Sequence, residues 1–84
     1  MTELQTTQQR ETVLIIEDNL PFGELMADVL CAEGYRCQIM TSGVAALSWL
    51  ADHTAQLLLL DYQLPDMSGE VFAVRLNEQG VVIP

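Results

Sequence analysis

The chain has 84 residues, half of them apolar, and sets three arginines against twelve acidic residues for a formal net charge of −9, with no lysine. A chain this short makes at most one domain, burying only ~60–65% of its unfolded surface around a marginal core. Its charge repels phosphate backbones and anionic lipid, so cations and basic protein patches are the expected partners, with no nucleic acid and no membrane.

The opening MTELQTTQQRE is polar and lacks the apolar core of a signal peptide, so residues 1–11 are expected to form a disordered tail ahead of a domain over 12–84. No apolar run exceeds five residues, far short of a membrane span. TVLIIEDN (12–19) reads as a short buried strand that turns abruptly acidic. Pro21 suits the first turn of a helix, with Asn19 or Leu20 near its cap. Phe22, Leu25, Met26, Val29 and Leu30 recur at helical spacing as one apolar face, and Gly34 stands at the expected C′ position.

YRCQIM (35–40) alternates as a second strand, TSG (41–43) supplies a turn and cap, and Val44, Leu47, Leu50 and Ala51 make a second helix face. AQLLLLD (55–61) is apolar on consecutive positions, as a strand covered on both faces should be. Ser68-Gly69 opens a third helix carrying Val71, Phe72, Arg75 and Leu76 along one side, and Gly80 ends it before VVIP (81–84) begins a fourth strand. Strands alternating with helices imply βαβ crossovers and a parallel sheet. The expected fold is α/β, a flavodoxin-like parallel sheet in the order 2-1-3, incomplete at the fourth strand.

In such a sheet, ligands bind beyond the carboxyl ends of the strands where strand order reverses. Glu17 and Asp18 end the first strand and Asp61 ends the third, so three carboxylates are expected to share one crevice. Carboxylates that close repel unless a cation intervenes, and a hard divalent ion such as Mg²⁺ suits oxygen ligands. Asp61 is also a candidate nucleophile, because a carboxylate can form an acyl phosphate. Each acid taken alone could simply cap or solvate a strand end; the coincidence of the trio favours a site.

VLIIEDN, LLLLDYQLPDMSG and GYRCQIMTSGVAAL together resemble the receiver domain of two-component response regulators, over nearly all of Val13–Pro84. The resemblance implies that Asp61 accepts a phosphoryl group from a sensor histidine kinase or phosphotransfer protein in the cytoplasm. It implies that Asp18 ligates Mg²⁺ directly, that Glu17 binds it through water or shapes the site, and that Asp61 and the backbone carbonyl of Gln63 complete the ligands. The module is then a phospho-acceptor rather than an enzyme. The family has five βα repeats, with a hydroxyl residue ending the fourth strand and a lysine ending the fifth. This sequence stops as the fourth strand opens, so it is expected to be a fragment. Its open leucine-rich edge is expected to aggregate or to be completed by a homodimer.

Other residues read more plainly. His53 belongs to a polar turn, Trp49 to helix packing, and Met26, Met40 and Met67 to gap-filling or loops. Asp66 is expected to cap the third helix. Cys31 and Cys37 lack CxxC spacing and are expected to be separate buried thiols in a reducing compartment. Two rival functions stand beside phospho-acceptance: a degenerate or truncated receiver, either acting only through protein contacts or inactive, and an aspartyl phosphatase. The phosphatase would need a second acid where Gln63 stands. The absence of GxGxxG and GK[ST] disfavours a dehydrogenase and a P-loop NTPase.

Overall fold

The computed structural model describes residues 11–61 and 63–81; most of the expected tail (1–10) and of the expected fourth strand (82–84) lie outside them. Chain order is β1 (Thr12–Ile16), α1 (Leu20–Ala32), β2 (Arg36–Met40), α2 (Gly43–Leu50), β3 (Leu57–Leu60) and α3 (Gly69–Glu78). The three strands form one parallel sheet in the order β2-β1-β3. Among the described residues no helix is long and apolar enough to cross a membrane.

β1 is central because it is the strand that can be covered everywhere: Val13, Leu14, Ile15 and Ile16 are all buried. Its side chains alternate between two faces. Leu14 and Ile16 join Ala46, Leu47 and Leu50 of α2, Ala55, Leu64 and Phe72 of α3 in one cluster. On the opposite face Ile39, the register partner of Ile15, lies beside Gly23 of α1. The sheet is therefore sandwiched between α1 and the α2–α3 pair.

Each helix is opened by a side-chain cap, and α1 and α3 are closed by glycine. Asn19, Ser42 and Ser68 accept from the backbone N–H groups of Phe22, Ala45 and Val71, at 3.1, 3.1 and 3.2 Å. Gly34 takes φ +97° at the end of α1, where Tyr35 N–H reaches back to the Leu30 carbonyl at 3.1 Å. Gly80 takes φ +78° after α3.

Burial differs from expectation in α1, β3 and α2. The inward face of α1 runs through Gly23, Met26, Ala27 and Leu30, whereas Phe22, Leu25 and Val29 are exposed. The sequence stripe is wider than the surface β1 and β2 offer, so half of it is left over. β3 is likewise not covered on both faces: Leu57 is 46% and Leu60 36% exposed at the two ends of the strand, and β3 pairs only with β1 among the described residues. In α2 the core positions are Ala46, Leu47 and Leu50, while Val44 and Ala51 face outward.

Candidate functional site

The acidic residues meet because the parallel ladder runs one step past the strands. Ile16 pairs with Leu60, so Glu17 comes opposite Asp61. The step is held by Asp61 N–H donating to the Ile16 carbonyl at 3.1 Å and Glu17 N–H donating to that of Met40 at 2.9 Å. Carboxylate oxygens of Glu17, Asp18 and Asp61 lie within 4.8 Å of one another. At that separation Glu17, Asp18 and Asp61 would together hold one small divalent cation such as Mg²⁺. No basic side chain forms an ion pair with these acids among the described residues, and the donor set is all oxygen. The residues fit a hard divalent cation.

The three acids are not equivalent. Glu17 is buried, Asp61 half-buried and Asp18 exposed. One Glu17 oxygen accepts from the Asn19 N–H at 3.2 Å, and Gly23 of α1 lies against its Cβ. Burial raises the Glu17 carboxyl above its ordinary 4.5; the Asn19 N–H opposes the rise, and the nearby Asp61 and Asp18 add to it. The sign follows directly. The folded state holds this proton more tightly than the unfolded chain, so Glu17's contribution to stability is present below 4.5 and lost as pH rises through the raised value. A divalent cation reverses the preference. Melting temperature is expected to rise little with Mg²⁺ at pH 4.5 and several degrees at neutral pH, and Glu17→Gln should flatten that dependence. Thermal scans in Mg²⁺ and in EDTA across this range measure it.

A cleft of about 350 Å³ adjoins the site, lined by Ile16, Glu17, Phe22, Met26, Leu59, Leu60 and Asp61. It leaves Asp61 reachable between α1 and β3. Gln63 is exposed and forms a single antiparallel bridge with Ser68, which folds the loop after Asp61 back on itself.

Asp66 serves a different helix from the one expected. It caps α2, not α3: its two carboxylate oxygens accept from the Gly43 and Val44 N–H groups, each at 2.9 Å. Ser68 already caps α3, which leaves Asp66 free to reach across. Met67 packs directly on Gly43, where a Cβ would meet its sulfur at 2.6 Å. Leu64 N–H donates to the Met67 carbonyl at 3.1 Å, and Leu64 itself is buried in the core. The loop that follows Asp61 is thus clamped to the start of α2.

The backbone N–H groups of Gly43 and then Val44 hold the Asp66 carboxyl below its ordinary 3.8. A depressed pKa stabilises the fold above the unfolded value, and the contribution disappears as pH falls through the folded one. Asp66→Ala should therefore lower the melting temperature by a few degrees at pH 7, with the gap closing below 3.8. Parallel thermal scans of both proteins from neutral to acid pH check this.

The remaining polar groups lie elsewhere. His53 is exposed, stacks on Trp49 with ring centroids 4.5 Å apart, and sets Nδ1 2.9 Å from the Trp49 carbonyl. Trp49 is half-buried against the core, as expected of a packing residue.

The doubly wound parallel sheet thus carries three converging carboxylates at the switch point, where α/β folds bind their ligands. Residues 13–84 match the response regulator receiver domain family, and the chain belongs to it. It is 31% identical over 72 residues to the sensor histidine kinase RcsC of Salmonella typhimurium, covering 86% of this chain and 8% of RcsC. It is 39% identical over 59 residues to the polar-differentiation response regulator DivK of Brucella ovis, covering 70% of this chain and 48% of DivK. The chain thus spans less than half the length of these curated relatives. Among solved structures, FixJ-N superposes with TM-score 0.81 at 30% identity, over 92% of this chain and 62% of that one. The receiver domain of a putative Luxo repressor protein from Vibrio parahaemolyticus gives 0.82 at 29%, over 89% and 58%.

Proposed function

We propose that this receiver domain accepts a phosphoryl group on Asp61 from a sensor histidine kinase or a phosphotransfer protein, with Mg²⁺ held by Glu17, Asp18, Asp61 and the backbone carbonyl of Gln63. The observation that carries the reading is the convergence of the three carboxylates beside an open cleft, with Asp61 reachable. A carboxylate oxygen of Asp61 attacks phosphorus, the donor's N–P bond breaks, and an acyl phosphate remains on Asp61. The bound cation would neutralise the equatorial oxygens of the transferred group. In this reading Asp18, the most exposed of the three, would ligate the cation directly, and the buried Glu17 would bind it through water or shape the site.

The test is incubation with acetyl phosphate in Mg²⁺ or EDTA, followed by intact-mass measurement. A base-labile phosphoryl adduct that forms only with Mg²⁺ supports the reading. Mg²⁺ binding without an adduct favours a module acting only through protein contacts. Among the described residues β3 pairs only with β1 and leaves Leu57 and Leu60 exposed, so its other edge is where a second copy would extend the sheet, and sedimentation over a concentration series reads that association.

A further inference from the structure

Two thiols that the sequence keeps apart come together on the α1 face of the sheet. Cys37 of β2 points toward α1, with its Sγ 3.9 Å from the Ala27 carbonyl. Cys31 lies one helical turn beyond Ala27, on the same side of α1. The Ala27 carbonyl that the Cys37 thiol approaches is also the i−4 helical acceptor of the Cys31 N–H, which sets the two residues side by side. The turn at Gly34 makes this meeting possible by folding β2 back along the end of α1. Contrary to the expectation of two buried thiols, Cys31 is exposed and Cys37 is half-buried. Cys31 stands in the last turn of its helix beside an edge strand, where the described residues leave it uncovered.

We propose that Cys31 and Cys37 form a dithiol that a hydroperoxide closes to an intramolecular disulfide. The exposed Cys31 thiolate attacks a peroxide oxygen; the O–O bond breaks, an alcohol (or water, from hydrogen peroxide) departs, and Cys31 becomes a sulfenic acid. The Cys37 sulfur then attacks the Cys31 sulfur, the S–O bond breaks, and water leaves with the Cys37 proton. Two thiols are oxidised by two electrons while one peroxide is reduced. Burial, and then the neighbouring Cys31, push the Cys37 thiol up, which suits it to resolve rather than to attack first. Cys37 is in register with Val13, at the end of the sheet opposite Glu17 and Asp61, so the bridge should leave the acidic site intact.

The sequence offers a clean assay. The chain has no lysine, and its arginines are at 10, 36 and 75, so trypsin cuts between the two cysteines. After hydrogen peroxide treatment, alkylation and digestion without reductant, fragments 11–36 and 37–75 should travel as one species, two hydrogens lighter than their sum. Dithiothreitol should separate them, and Cys31→Ser should abolish the linked species while leaving the circular dichroism spectrum and the Mg²⁺ response unchanged. Separate fragments carrying alkylated thiols or higher oxides, or a disulfide joining two copies of one fragment, would overturn the proposal.

Discussion

Asp61→Asn is expected to eliminate the phosphoryl adduct formed with acetyl phosphate and Mg²⁺, with no detectable product where the parent protein is modified. The substitution removes the nucleophilic oxygen and one cation ligand but barely changes side-chain size. The ladder bond from the Asp61 backbone to Ile16 uses no side-chain atom, so the fold should survive. Relief of repulsion against Glu17 should even leave the cation-free protein as stable or slightly more so, since the Asp61 charge contributes to raising the Glu17 pKa. Intact mass reads the adduct and a thermal scan reads the fold. An adduct that persists in this variant would place the acceptor elsewhere. Asp18→Ala is a useful companion: it should keep the nucleophile but weaken the Mg²⁺ requirement's midpoint by on the order of tenfold or more.

Phe72→Ala is expected to unfold the domain. Phe72 is 1% exposed and the largest of the fully buried side chains, seated among Leu14, Ile16, Ala46, Leu47 and Leu50. Truncating a buried Phe costs about 3–5 kcal/mol. Small domains are worth only ~5 kcal/mol or so in total, and this one leaves Phe22, Leu25, Val29 and Leu57 in water. The variant should lose its cooperative thermal transition in far-ultraviolet circular dichroism at 25 °C. Phe72→Leu, which keeps most of the volume, should retain it at reduced melting temperature. An intact transition in Phe72→Ala would mean that α3 is not part of the cooperative unit.

The apolar run of β1, the caps at Asn19 and Ser68 and the glycines at 34 and 80 are local signals, and their elements form where those residues demand. The acidic trio was legible because two strand tips plus one parallel register suffice to bring Glu17 and Asp61 opposite each other. Other features depend on which surfaces meet, and sequence periodicity is blind to that. Leu25 and Val29 carry the same helical spacing as Met26 and Leu30, yet only the second pair faces the sheet. Four identical leucines in β3 are all paired with β1 yet differ in exposure: Leu58 packs on the core and Leu59 is half-buried, while Leu57 and Leu60 at the strand ends are exposed. Asp66 crosses to another helix because Ser68 already serves its own, and the Cys37 thiol comes to the Ala27 carbonyl of α1 because a left-handed glycine reverses the chain between helix and strand. Local propensity thus set the elements and the strand-tip chemistry. The clamp on the loop after Asp61 and the seating of the Cys37 thiol against α1 arose only when those elements packed, since each depends on partners distant in sequence or folded back through a turn.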